Sequence, residues 1–259
     1  MSKTILVFTC AHSDPDVSNE RFDWLGSFIY DLKPDMVIDL GDFTDMRSLN
    51  TYDTRYPKAI VAQNYQQDIE HSNDAQERLR WKFRHLKRRK PFWVGLEGNH
   101  ENRIKKAISV DPRLEGDKYG ISFSHLNTDY WYDEYHEYSN SAPAIASYDN
   151  ILYAHYIATG AYGHALNTKH HAASLVDKLA CSVSVGHSHK LHYFRKADAR
   201  PTPISGLVAG CFKGKDEPWA GQSNAEWSKG IVVKRDVENG DYDFSWVSMK
   251  ALEKEYGSA

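Results

Sequence analysis

The sequence predicts an α/β fold, and three observations carry that expectation. Apolar runs at residues 4–9 and 36–40 read as buried strands and flank a stretch, 19–32, whose apolar residues recur at helical spacing. A strand, helix, strand order implies a right-handed crossover and a parallel pair, so the loops after both strands open on one edge of the sheet. Several strand-like runs then end in His or Asp, at the edge where open α/β sheets collect their functional residues.

The bounds are those of one globular domain over residues 1–259. Lys plus Arg (32) nearly balance Asp plus Glu (35), and the net charge of -3 argues against a generic polyanion binder. Met1-Ser2-Lys3 leads directly into a strand too short for a signal-peptide core, and no apolar run reaches about 18 residues, so a cytoplasmic protein without a membrane segment is expected. Cys10, Cys181 and Cys211 form no paired framework. The 13 histidines are more informative, because several fall in short patterned groups.

Taken in order, the first strand ends in Cys10-Ala11-His12 and opens into the turn-prone Ser13-Asp14-Pro15-Asp16. Phe22, Trp24, Leu25, Phe28, Ile29 and Leu32 give the helix its apolar face, and Lys33-Pro34 stops it. The second strand runs into Gly41-Asp42-Phe43-Thr44-Asp45, so His12 and Asp42 are expected to meet. Residues 59–86, free of Gly and Pro, read as one long or two shorter helices with Tyr65, Ile69, Leu79, Phe83 and Leu86 facing inward. The basic run Lys87-Arg88-Arg89-Lys90 suits the negative end of a helix dipole. Pro91 breaks the helix, residues 92–96 form a third strand, and Gly98-Asn99-His100-Glu101 follows it.

From Arg103 to Tyr138 the pattern is irregular and rich in aromatics, which pack an irregular region against a sheet or else stack on bases. Residues 144–147 and 151–154 resemble a hairpin around Tyr148-Asp149-Asn150, whose second strand runs into His155. A loop over 159–171 carries His164, read with Arg103 as a candidate substrate contact. Residues 171–179 are helical, and 182–185 form a strand ending in Gly186-His187-Ser188-His189. Residues 203–211, 230–235 and 242–247 alternate like strands, suggesting a second sheet.

Collected, His12, Asp42, Asn99, His100, His155, His187 and His189 are a set of imidazoles with one carboxylate and one amide oxygen. Such a set suits Mn²⁺, Fe or Zn²⁺ better than Ca²⁺ or Mg²⁺. It is too large for one ion with open positions, whereas two ions about 3.5–4 Å apart sharing a carboxylate would use it all.

In order, Cys10-Ala11-His12, Gly41-Asp42-Phe43-Thr44-Asp45, Gly98-Asn99-His100-Glu101, His155 and Gly186-His187-Ser188-His189 resemble the blocks of the calcineurin-like metallophosphoesterases, in particular a compact bacterial and bacteriophage group. That resemblance implies a four-layer α/β/β/α sandwich of two mixed sheets and hydrolysis of a phosphomonoester or phosphodiester by in-line attack of a metal-bridging hydroxide. It places His12 and His189 on a first divalent ion, Asn99, His155 and His187 on a second, and Asp42 between them, with Mn²⁺ the expected metal. His100 matches the residue that contacts phosphate and protonates the leaving oxygen, while Asp45 and Glu101 read as partners that fix histidine orientation. Met46 intervenes before Arg47, which weakens a phosphoprotein-phosphatase reading, and the aromatic segment and basic run lean towards a nucleotide or nucleic-acid substrate.

One position departs from the resemblance. Cys10 stands where the family's first block has a ligating Asp. A thiolate there favours Zn²⁺ or Fe²⁺. Alternatively Asp14 or Asp16 swings in from the adjoining loop, or the thiol stays protonated and the protein is a catalytically impaired binder of a phosphate compound or partner. We expect a retained two-metal site with altered metal preference.

Overall fold

The computed structural model describes residues 3–51, 64–86, 90–139, 142–197, 199 and 201–257. Strands β1 (Lys3–Phe8), β2 (Met36–Asp39), β3 (Phe92–Leu96) and β4 (Glu134–His136) lie side by side and parallel in one sheet. The second sheet contains β5 (Ile145–Tyr148) and β6 (Ile151–Ala154), while β7 (Ala158–Thr159) and β8 (His164–Ala165) form a small separate hairpin. Strands β9 (Ser182–Val185), β10 (Leu191–Lys196) and β11 (Ile204–Ala209) complete the second sheet in the order β10-β11-β9-β6-β5. Strands β12 (Gly230–Glu238) and β13 (Asp241–Ser248) return to the first sheet, with β12 antiparallel to β1.

Both sheets are mixed, and three apolar layers hold them. Along β1 the side chains alternate, so Ile5 and Val7 meet Ile151, Tyr153, Leu207 and Ala209 of the second sheet. Leu6 and Phe8 face the other way, onto Phe22, Leu25 and Ile29 of the helix Glu20–Leu32, Leu79 of the helix Tyr65–Arg80 and Leu252 of the helix Met249–Tyr256. Val183, Val185 and Val208 pack their outer face on Ala172 and Leu175 of the helix His171–Leu179. The result is the α/β/β/α layering that the resemblance implied. Burial on both faces explains why β1 to β3 read as continuous apolar runs.

Several expectations change at the edges. The long helical stretch resolves into Tyr65–Arg80, capped by the Asn64 side chain on the Gln66 N–H (2.8 Å), followed by a 3-10 turn at Trp81–Phe83. Residues 59–63 and Lys87, Arg88 and Arg89 lie outside the described residues. The segment read as irregular contains the helix Asn102–Val110 and the edge strand β4, which at three residues is too short to show a period. Its aromatics divide: Trp131, Tyr132 and Tyr138 are buried, with the Tyr132 hydroxyl donating to Asp39 Oδ2 (2.7 Å), whereas Tyr119 and Tyr130 are exposed. The tail does not form one sheet, because β11 joins β9 whereas β12 and β13 extend the first sheet. The expected hairpin turn is present, with Asp149 and Asn150 both in the left-handed region (φ 51° and 60°) that a two-residue turn of this hand requires.

Between the sheets β12 also places Lys234, fully buried, with its Nζ donating to Ser184 Oγ (2.6 Å) and lying 4.2 Å from the centre of the Tyr242 ring. Burial holds this lysine well below its usual pKa. The unfolded chain therefore binds the extra proton between that lowered value and about 10.4, and this group makes stability rise with pH across that window. We expect Lys234→Met, similar in volume, to raise the urea midpoint near pH 7 and to flatten its increase towards about pH 9. A lower midpoint with an unchanged slope in denaturation curves at the two pH values would count against this account.

Candidate metal centre

The loops after β1 and β2 zip together past the ends of their strands. Cys10, His12 and Ser13 donate their backbone N–H groups to the carbonyls of Gly41 (2.9 Å), Asp42 (3.0 Å) and Phe43 (2.7 Å). This brings His12 beside Asp42. From the second sheet, β6 ends at His155, whose Nδ1–H donates to the Leu40 carbonyl (2.8 Å), and β9 ends at the loop bearing His187 and His189. Parallel strands of both sheets thus deliver their C-terminal loops to one place.

All seven strand-end residues named from the sequence come together there. His155 Nε2 lies 3.1 Å from Asp42 Oδ2, 3.1 Å from Asn99 Oδ1 and 3.2 Å from His187 Nδ1. On the other side His12 Nε2 is 3.2 Å from His189 Nε2 and 3.9 Å from Asp42 Oδ2, with His100 Nε2 also 3.9 Å from that oxygen. Burial pushes His187 down to about 4 and His189 to about 3, and with the nearby Lys213 and His100 holds His12 well below its usual value. These rings are neutral near pH 7 and offer lone pairs. His155 is the exception: burial opposes its charge, but Asp42 outweighs burial and raises it. Burial likewise opposes ionisation of Asp42, yet His155 and His100 hold it well below the carboxylate range.

Carboxylates outside this ring fix it in place. Asp45 Oδ1 accepts from His12 Nδ1–H (2.9 Å) and lies 3.0 Å from His100 Nδ1, which directs the outer nitrogen of both rings at Asp42. Glu101 touches no histidine ring. Its carboxylate accepts the N–H groups of Asp42 (3.1 Å), Gly98 (2.9 Å) and Thr44 (3.0 Å), so it shapes the Asp42 loop. Burial and then the charge of Asp42 push Glu101 up to about 8, against the pull of those donors. Cys10, His12, Asp42, His187 and His189 all have positive φ, between 44° and 65°, a costly backbone region that clusters at functional sites.

Cys10 is fully buried, and its sulfur accepts the His187 N–H (3.2 Å). It lies within 4.8 Å of the ligand atoms of His12 and His189, and equally of those of Asp42 and His155. Burial, followed by Asp42, raises its thiol well above the usual value. Asp14 and Asp16 do not reach the centre. Asp14 is held by Lys215 (2.5 Å) and Arg47 (3.1 Å), and Asp16 also pairs with Arg47. The Arg103 guanidinium donates to the carbonyl of Asp45 (2.7 Å) and stands 3.3 Å from His100 Nε2. His164 sits on the exposed β7–β8 hairpin with its ring against Tyr162.

Sequence reasoning missed three neighbours of the centre. Buried Lys213 lies 4.0 Å from Asp45 Oδ1, Tyr156 packs on the His187 ring at 5.0 Å, and Trp227 packs on the His189 ring at 4.6 Å. Each lies on a stretch with no local pattern to mark it.

Gly98 allows a close approach in the site: a Cβ there would stand 2.2 Å from both Asp42 N and Asp42 Oδ1. Gly98→Ala must displace the Asp42 loop, and we expect it to lower bound metal and to cut activity by about 100-fold. Elemental analysis showing full metal content in a folded variant would contradict the close packing described.

Among solved structures the chain is similar to a predicted phosphoesterase from Streptococcus pneumoniae TIGR4, at 10% identity and TM-score 0.40 over 96% of this chain and 91% of that one. It is also similar to a cold-active protein-tyrosine phosphatase of a psychrophilic Shewanella species, at 12% identity and TM-score 0.36 over 94% and 80% of the two chains. No curated protein sequence matches it. The model of the calcineurin-like phosphoesterase family matches residues 3–180, a span that holds four strand-end loops of the centre and stops just before His187 and His189. On that match the chain belongs to the calcineurin-like phosphoesterase family and is a metal-dependent phosphoric ester hydrolase.

Proposed function

We propose that the protein hydrolyses a phosphomonoester or phosphodiester bearing a nucleobase at a pair of divalent ions. Cys10, His12 and His189 would hold the first ion, Asn99, His155 and His187 the second, and Asp42 would be shared. The observation that carries this reading is the set of facing acceptors. With Nδ1–H of His12 given to Asp45 and Nδ1–H of His155 given to Leu40, both rings turn Nε2 towards Asp42, His189 and His187, and a bound cation would take the place of the proton that Asp42 favours on His155. Acceptors 3.1–3.9 Å apart repel unless protons or cations lie between them.

The two cations would neutralise phosphoryl charge and acidify a water for in-line attack. The chain's own groups supply the rest. His100, with Nδ1 directed at Asp45, presents Nε2 at the mouth of the centre, where it can give a proton to the departing oxygen. Arg103 places positive charge beside that nitrogen, where a phosphate would enter. Asp45 acts through the two rings it orients. The imidazole, amide and carboxylate set suits Mn²⁺, and a thiolate at Cys10 shifts the preference towards Zn²⁺ or Fe²⁺.

The burial that keeps Cys10 a thiol favours a second reading, in which the first ion is weak and the protein binds a phosphate compound or partner without turnover. Activity separates the two. Chelation should abolish hydrolysis of bis-p-nitrophenyl phosphate and Mn²⁺ should restore it, with Asp42→Asn at background. His100→Ala should lose about 100- to 10,000-fold. That loss should be larger for an alkyl leaving group than for p-nitrophenolate, which departs without a proton. Metal-loaded wild type inert on a broad mono- and diester panel would favour the binding reading. Cys10→Asp should alter metal preference, whereas unchanged metal content and activity would remove the thiol from the ligand set.

A further inference from the structure

We propose that Trp219 and Trp227 form a stacking platform beside the metal centre that selects phosphoesters carrying an aromatic base; the inference deepens the hydrolytic reading above and rests on it. Trp227 is built into the metal loop. Its ring stands edge-on to His189, with centroids 4.6 Å apart at 83°, and the next residue, Ser228, donates its N–H to the His189 carbonyl (2.8 Å). Trp219 follows at 6.1 Å from Trp227, with 76% of its surface exposed.

An indole that open is costly to leave in water, and flexibility of its segment does not account for it. The Asn224 side chain donates to the carbonyls of Glu217 (2.8 Å) and Gly221 (2.9 Å) and accepts the Glu217 N–H (2.9 Å). Buried Lys213 clamps Glu217 at 2.8 Å. The turn bearing Trp219 is therefore braced from both sides, and it presents a rigid aromatic face next to a ring proposed to hold a metal. A phosphate seated between His189 and His100 would carry its sugar outward over Trp227 and its base to Trp219. Of the aromatic segment between Arg103 and Tyr138, which the sequence offered for base stacking, Trp131, Tyr132 and Tyr138 are buried, while Tyr119 and Tyr130 are exposed.

Two esters with one leaving group test this: thymidine 5′-p-nitrophenyl phosphate and methyl p-nitrophenyl phosphate, assayed with the Mn²⁺-loaded enzyme. Trp219→Ala should lower the ratio of their kcat/KM values about tenfold, mainly through KM of the thymidine ester, because stacking is sequence-tolerant but needs a ring. Trp81→Ala, removing an exposed indole on another element, should leave the ratio at the wild-type value. An unchanged ratio in Trp219→Ala overturns the platform even when both esters are hydrolysed. Should neither ester be hydrolysed, the hydrolytic reading fails by itself, and fluorescence titration still decides the platform: adenosine 5′-monophosphate should quench wild type and bind about tenfold more weakly to Trp219→Ala. Equal affinity of the two proteins would overturn it. Competition by thymidine 5′-monophosphate or by a short oligothymidylate, lost in Trp219→Ala, supports the platform and tells whether the base arrives on a nucleotide or a strand.

Discussion

A carboxylate 2% exposed and ringed by imidazoles is the constraint on which the rest of the structure depends. Burial alone would keep Asp42 protonated, and only the surrounding rings hold it ionised. Burial keeps His12, His187 and His189 neutral, so their lone pairs and the carboxylate oxygen converge on the same space. The arrangement is also strained. Five of the converging residues have a left-handed backbone, at about 1–3 kcal/mol each. Free energy of this size has to be offset, and divalent cations bound by these residues in the folded state would help offset it.

Until cations bind, the scaffold has to impose the geometry, and its layers explain how. The parallel strands β1, β2 and β3 on one side and β6 and β9 on the other all end at the same edge, with the Ile5, Val7, Tyr153 and Leu207 layer fixed between them. The loops themselves leave little slack. Gly41 and Asp42 accept backbone bonds from Cys10 and His12, Glu101 gathers three amides under Asp42, and Asp39 at the end of β2 accepts from both the Gly41 N–H (3.0 Å) and the Tyr132 hydroxyl. That last contact gives the buried aromatics of residues 131–138 a role: they hold the floor of the site. Substituting a base-stacking role for them would have misread packing as recognition.

The sequence made the centre of the molecule legible and its periphery obscure, for physical reasons. Strands β3 and β9 and the helix His171–Leu179 have the bounds read from the sequence: Pro91 and Gly98 flank the apolar run of β3, and Gly186 ends the Ser-Val alternation of β9. The seven strand-end residues could be gathered because each follows such a run directly. Strand β4 could not be seen, being three residues at a sheet edge, nor could the return of β12 to β1, which is settled by pairing between residues more than two hundred apart. Glu101 illustrates a subtler limit. Its spacing marks it as near the site, but that it binds backbone amides and not a ring depends on how the Asp42 loop folds back over Gly98. Trp219 and Trp227 had no signal at all, since exposure and contact with His189 are properties of the fold alone.

Cys10 couples these themes. Its sulfur is within reach of both candidate ion positions, and the same burial that lowers the histidines raises its thiol, with the Asp42 charge adding to the effect. A divalent cation beside it reverses the sign of the local field, and a coordinating thiol is deprotonated outright. Were Cys10 to ligate an ion, ionisation of the thiol and occupation of that position would be a single equilibrium, in which binding releases a proton and affinity rises with pH until the thiol ionises without help. An Asp at this position would ionise without such coupling. A thiol in place of a carboxylate would therefore change more than ligand softness: it would make an ion held there conditional on pH and on the charge already held at Asp42, as the raised His155 would for an ion on its side.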